Sequence, residues 1–278
     1  MAYDAIVDSA KLNGAMKATA DAVRFVTGGE ELIPWDMSEG FKESVEKVYE
    51  AGKKAEYDAF WDNFQQNGAR RNYDKGFINT SGCWNSVSFK PKYDIIFEGS
   101  CPQCFYGWEK GTETINIGAI LKEQGIILDT SKATNVSSMF AYGSKLVGEL
   151  PTISCENAGN LTDGMFRGAK FTTIEKLIVT ENTSFSAMFN SCVNLENIVF
   201  EGTIAQNGLN MSSCTKLSKE SHISIVNAFS TIENISATFS KVAVDKAFET
   251  SAGANDGSKS PEWLALVGTR PNVSILLA

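Results

Sequence analysis

Cys101-Pro-Gln-Cys104 is the set of residues in this chain whose type and spacing point most directly to chemistry. Two thiols three positions apart form a redox couple when they open a helix after a strand, because the helix N-terminus lowers the first thiol's pKa. They form half of a zinc site when a second such pair stands at matching spacing, and the sequence has no second pair. Without either context the pair reads as structural. The chain has one histidine, His222, which excludes His-rich metal centres and most nucleophile triads. No acid, nucleophile or metal partner stands beside it, so it reads as structural or solvent-facing. The sequence has no G-x-S-x-G, phosphate loop, calcium loop or HExxH. Residues 253–257 are Gly-rich but lack a following Lys-Ser/Thr, and they read as an exposed loop. Asp and Glu are abundant, yet no pair stands out as the carboxylate couple of a glycoside hydrolase. No cofactor, metal or catalytic residue is expected.

The elements that would position such groups are bounded by composition. A chain of 278 residues suggests about two structural units. An apolar share of 43% with 21% charged residues fits a folded chain and argues against wholesale disorder. The net charge of -8 repels phosphate backbones, and no run of like charge exceeds pairs such as Lys53-Lys54 and Arg70-Arg71, so nucleic acid is not an expected partner. No apolar stretch approaches the roughly 18–20 residues that span a bilayer, so no membrane partner is expected either. The first residues, Met1 to Asp8, are acidic and lack the basic start and apolar core of a signal peptide. The six cysteines (83, 101, 104, 155, 192 and 214) are therefore expected to be reduced. Seven Asn-x-Ser/Thr triplets, at Asn79, Asn135, Asn160, Asn182, Asn210, Asn234 and Asn272, read as turn residues whose side chains bond to the backbone.

Self-similarity is the strongest signal. Val136-Ser-Ser-Met-Phe-Ala-Tyr-Gly-Ser-Lys-Leu146, Leu161-Thr-Asp-Gly-Met-Phe-Arg-Gly-Ala-Lys-Phe171, Phe185-Ser-Ala-Met-Phe-Asn-Ser-Cys-Val-Asn-Leu195 and Gly208-Leu-Asn-Met-Ser-Ser-Cys-Thr-Lys-Leu217 share one pattern. Aligned on Phe140, Phe166, Phe189 and Met211, they recur at 26, 23 and 22 residues. Cys104-Phe105-Tyr-Gly resembles the same core and marks an earlier, degenerate copy. Residues 115–125 then read as a helical insertion before a strand at 126–129. Each repeat reads as a short helical turn, a bend and a strand. One unit cannot bury its own apolar side, whereas stacked units make a continuous core with their strands on one parallel face. The expected repeat core is Phe105, Met139, Phe140, Leu146, Met165, Phe166, Met188, Phe189, Cys192, Leu195, Met211, Cys214 and Leu217. Cys192 and Cys214 fall on the same rung and read as small buried hydrophobes. Tyr106, Trp108 and Tyr142 are the candidate ligand surface, since aromatic rings on an exposed repeat face suit carbohydrate.

The Ser-Ser-Met-Phe and Met-Phe-Asn-Ser-Cys-Val-Asn-Leu runs resemble the bacterial surface-antigen (BspA-like) type of leucine-rich repeat, common in gut bacteria and their prophages. The resemblance covers roughly residues 98–278. It implies an α/β leucine-rich-repeat solenoid over 98–217 with an α/β C-terminal cap over 218–278. In that cap Ser218 caps a helix bearing Ile223, Val226 and Phe229, a strand follows at 235–239, and residues 242–248 are helical. Ser260-Pro261 opens another helix, and 272–278 is the last strand.

Residues 1–68 read as a helical attachment or oligomerisation region, and 69–97 as linker and entry strands. The first helix, residues 3–26, stops at Gly28-Gly29. The second carries Val45, Val48, Gly52, Ala55 and Ala59 at three- and four-residue spacing, a short coiled-coil-like seam. Val45, Val48 and Ala55 are the candidate oligomer contacts. Ala20-Asp-Ala-Val-Arg-Phe-Val-Thr-Gly-Gly, Met37-Ser-Glu-Gly-Phe and Phe89-Lys-Pro-Lys-Tyr-Asp resemble segments of tail and baseplate proteins in phages of low-GC bacteria. The resemblances together imply a non-catalytic phage or prophage tail protein, made in the bacterial cytoplasm and carried in the virion. Its expected partners are other tail proteins, further copies of itself, and a protein or glycan on a host cell surface. A bacterial cell-surface leucine-rich-repeat adhesin is the alternative, and a glycan hydrolase with two carboxylates in a cleft is the third reading.

Overall fold

The computed structural model describes residues 94–107 and 114–278, all within one unit, Asn63–Ala278. The expected N-terminal helices, Val45, Val48 and Ala55 of the seam, the linker as far as residue 93, Cys83 and Trp108 lie outside the described residues.

The described chain is mixed α/β, with parallel strands in small sheets and few helices. Strand β1 (Ile95–Ser100) is followed by helix α1 (Ile117–Gln124) and β2 (Leu128–Asn135), which pairs with β1. Strands β3 (Val147–Leu150) and β4 (Ile153–Ser154) pair with successive parts of the long β5 (Lys170–Val179), and β6 (Asn197–Gly202) also pairs with β5. Strand β7 (Leu209–Met211), helix α2 (Lys219–Ala228), strand β8 (Ile235–Phe239), helices α3 (Lys241–Ala247) and α4 (Pro261–Gly268), and strand β9 (Val273–Leu277) complete the order. The third sheet runs β7-β8-β9. Every strand pair is parallel. Parallel neighbours need a crossover between them, and here turns supply most of the crossovers.

The expected helical turns of the repeats are non-helical turns instead. One residue in four takes a left-handed backbone: Gln103 and Gly107, Ser138 and Tyr142, Gly164 and Gly168, Ala187 and Ser191. A left-handed residue ends the run of helical bonds and redirects N–H and C=O groups sideways. Those groups then bond between tiers of chain. The N–H of Phe105 donates to Met139 O at 2.7 Å, that of Phe140 to Met165 O at 2.8 Å, and that of Phe166 to Met188 O at 3.1 Å. Two residues further on, Gly107, Tyr142 and Gly168 donate in the same sense to Ala141, Arg167 and Asn190.

This register places four phenyl rings in a stack. Phe105 and Phe140 lie 5.0 Å apart between centroids, Phe140 and Phe166 5.8 Å, and Phe166 and Phe189 5.6 Å, with interplanar angles of 5°, 10° and 22°. Offset stacking at such distances adds to the area that each ring buries. The stack stops at Phe189. Met211, aligned with Phe189 in the sequence, lies in β7 rather than in a turn. The strands flank the rings and send Phe171, Ile174, Leu177, Ile198 and Phe200 into the same core.

The last elements follow their capping residues. Ser218, Ser240 and Ser260 each accept a bond from the backbone N–H three residues on, at 3.3, 3.4 and 3.1 Å, and so start α2, α3 and α4. Pro261 takes the first position of α4, where no N–H is needed. Residues 253–257, expected as an exposed loop, are exposed at Gly253 but buried at Gly257. A Cβ at Gly257 would stand 2.4 Å from Val244 O.

Phe166 is 1% exposed and stacks on both neighbours. Phe166→Ala is expected to lower the unfolding free energy by about 3–5 kcal/mol, measured by urea denaturation. Val199→Ala, at a site 48% exposed on β6, should change it by no more than about 0.5 kcal/mol.

Candidate functional site

All thirteen residues expected in the repeat core are buried. The candidate ligand surface is only partly described. Tyr106 is half-buried and Tyr142 is 36% exposed. Their rings meet edge to face at 5.6 Å, and the Arg167 guanidinium stands 5.5 Å from the Tyr142 ring centre. Beneath Tyr142 the next tier carries Gly168, whose absent Cβ would lie 3.0 Å from the tyrosine ring. One edge of the ring therefore rests over Gly168, with Tyr106 and Arg167 beside it. The result is a small aromatic and cationic platform of two tyrosines and one arginine. Arg167 was not singled out in the sequence, because only the tier register brings it to Tyr142.

The helical insertion expected at residues 115–125 is present, and it creates a groove that the sequence did not show. Where later tiers run directly from one strand to the next, the first tier inserts α1. Ile115 still bridges to Leu146, and its carbonyl accepts from Val147 N at 2.9 Å. The chain then turns away into α1 and continues into β2, which pairs with β1 in a separate two-stranded sheet. The Asn116 side chain fixes the departure, since its Oδ1 accepts from both Ala119 N at 3.1 Å and Glu149 N at 3.0 Å. Gly118 lets the helix lie against the next tier, as a Cβ there would sit 2.7 Å from Glu149 O. The detour leaves a groove of about 610 Å³. Leu121, Leu128 and Leu150 form its apolar floor and are 2%, 4% and 1% exposed. Ile127, 61% exposed, stands at the rim. Glu149, Glu175 and Lys122 supply its charge. Neither carboxylate has an ion-pair partner among the described residues.

The Cys101–Cys104 pair follows strand β1 but leads into turns rather than a helix. Cys104 donates its thiol to Cys101 O at 3.3 Å. Burial, reinforced by the neighbouring Cys101, pushes the Cys104 thiol well above its ordinary pKa. A redox couple needs the opposite shift. Burial likewise pushes Cys155 and Cys192 up to about 12, and Cys214 well above its usual value. The sequence could find these thiols, but only the structure shows that all five are buried.

His222 is fully buried rather than solvent-facing. Its ring lies 5.6, 5.8 and 5.9 Å from Phe239, Phe248 and Trp263. Nδ1 bonds Ser218 O at 2.8 Å, and Nε2 has no partner among the described residues. Desolvation lowers its pKa to about 4, against the opposing pull of the Ser218 carbonyl. The imidazole is thus a neutral packing ring joining α2, β8 and α4.

Two outcomes follow. The five described thiols should not react with an aromatic disulfide reagent at pH 8 until denaturant is added, so the native chain titrates no more than the one thiol of Cys83. His222 is neutral in the fold down to about pH 4, whereas the unfolded chain protonates it near 6.5. Its contribution to stability is complete above about pH 6.5 and is lost as pH falls toward 4, to a total of about 3 kcal/mol. As the only histidine, it gives an unambiguous imidazole NMR signal, which should stay at its neutral position at pH 5.5. A signal titrating near 6.5 would contradict the buried, neutral ring. Set against known proteins, the chain matches no protein-family model, no curated protein and no solved structure.

Proposed function

We propose that this chain is a non-catalytic repeat protein of the leucine-rich type, whose stacked tiers form a solenoid and display a recognition surface. The observation that carries the reading is the tier-to-tier register. Backbone bonds and the Phe105–Phe140–Phe166–Phe189 stack repeat the same contact three times. Residues so spent on core leave the exposed positions of each tier free to vary, which is how repeat arrays build binding faces. The Tyr106–Tyr142–Arg167 platform is the surface suited to a glycan or protein, through ring faces and a fixed cation. A general acid needs a carboxyl sheltered from water. Glu149 and Glu175 share the groove but are exposed, which favours binding over hydrolysis.

The resemblances of both parts of the sequence to phage proteins support a place in a phage or prophage tail. On this reading the region 1–68 attaches the chain to other tail proteins or to further copies, and residues 98–278 face the host. Display on several copies would raise avidity without any new contact.

Light scattering on the full chain is expected to return two or three times its 30.2 kDa; a monomer would remove the oligomeric attachment. Labelled full-length chain should bind saturably to whole cells of some members of a panel of low-GC bacteria. The double substitution Tyr106→Ser/Tyr142→Ser should reduce that binding at least about fivefold, with the circular dichroism spectrum unchanged. Undiminished binding by the double variant would remove the aromatic platform from recognition.

A further inference from the structure

The groove beside α1 differs from the tyrosine platform in both place and chemistry, and it points to a separate partner. Its floor is aliphatic, from Leu121, Leu128 and Leu150, and Ile127 extends that surface outward at the rim. The carboxylates Glu149 and Glu175 line it without an ion pair among the described residues, with Lys122 on the helix side. Elsewhere on the same strands the chain neutralises such a carboxylate. Glu201 on β6 holds Lys176 of β5 at 2.6 Å. Among the described residues neither groove carboxylate makes an ion pair, and Glu175 feels Lys176 only at longer range.

The walls are built rather than incidental. Asn116 ties the start of α1 to β3, and Gly118 seats the helix against Glu149. Just past the lining residues Leu128 and Thr152, Thr130 Oγ1 both accepts from Ser154 N at 2.7 Å and donates to Ser154 O at 2.9 Å. That exchange closes the tier beyond the groove by a side chain where no strand ladder joins β2 to β4. A volume of about 610 Å³ lies in the range of ligand clefts and holds a few side chains.

We propose that this groove docks a basic polypeptide segment of a partner protein, which sets an aliphatic side chain on the Leu121–Leu128–Leu150 floor and a lysine or arginine against Glu149 and Glu175. Charge complementarity selects the cation, and the exposed Ile127 above the aliphatic floor selects an aliphatic neighbour over a run of charge alone. The net charge of -8 steers such a segment toward the chain before contact. The site goes beyond the display reading and does not depend on it.

The test uses the full chain and a fluorescent nine-residue peptide of alternating valine and lysine, at 50 mM salt. Saturable binding is expected, with NMR shift changes centred on Leu121, Ile127 and Leu150. Glu149→Gln/Glu175→Gln should weaken it at least tenfold, and the charge-matched control Glu220→Gln/Glu233→Gln should leave it within twofold. Leu150→Asn should weaken it as well, with the fold checked by circular dichroism. A serine–lysine peptide of equal charge that binds as tightly would overturn the proposal, because bulk acidity would then explain the affinity. Equal weakening by the control pair, shift changes outside the groove, or no binding at 1 mM peptide would each overturn it too. None of these results depends on cells or on the tyrosines, so failure here leaves the display reading standing, and the reverse.

Discussion

The backbone bonds that join one tier of turns to the next set the terms for most of the described structure. A left-handed residue every fourth position sends the N–H groups of Phe105, Phe140 and Phe166 to the tier that follows. Once those bonds fix the lateral register, each phenyl ring falls over the next, and each left-handed site must be a glycine or a residue that tolerates the strain. Ser138, Tyr142, Ala187 and Ser191 take that conformation without being glycine, each at a cost of about 1–2 kcal/mol. Bonds between tiers and the buried rings offset that cost. The same register lays Tyr142 over Gly168 and beside Arg167, so the exposed platform is a consequence of the core.

The spacing of these tiers was legible because the rings cannot be moved without losing the stack. Phe140, Phe166 and Phe189 recur in the sequence at the interval at which they meet in space, and the Ser-capped helices after Leu217 announced themselves through local chemistry. The conformation of the turns was not legible. Runs such as Ser-Ser-Met-Phe-Ala-Tyr-Gly suit a short helix as well as a chain of turns, and the choice between them is made by bonds to a tier about 25 residues away. Met211 misled for a related reason. Its local pattern copies that of Phe189, but pairing with β8 draws it into a strand.

His222 and the cysteines show how position decides chemistry. The sequence shows a histidine on a helix with no evident partner, and that description fits a solvated ring and a buried one equally. Its burial depends on Phe239, Phe248 and Trp263, which are up to 41 residues distant. Desolvated, with the Ser218 carbonyl as its hydrogen-bond partner, the imidazole holds its neutral form and behaves as one more aromatic ring. The Cys101–Cys104 pair has the spacing of a redox motif but not the helix N-terminus that would stabilise a thiolate, and burial drives the Cys104 thiol the other way.

The groove was hidden from the sequence by the same device that makes it. From Phe105 to Phe140 the interval is 35 residues, against 26 and 23 for the next two. The excess is close to the eight residues of α1, so the insertion itself was readable as extra length and a helical pattern. Its consequence was not, because Glu149, Glu175, Leu121 and Leu150 are scattered over three tiers and carry no common motif. A straight first tier would have laid a strand beside Glu149 and Leu150. The detour instead sets Asn116 and Gly118 against that edge, and the groove opens beside it. One departure from the spacing of the other tiers thus creates the feature on which the docking proposal rests.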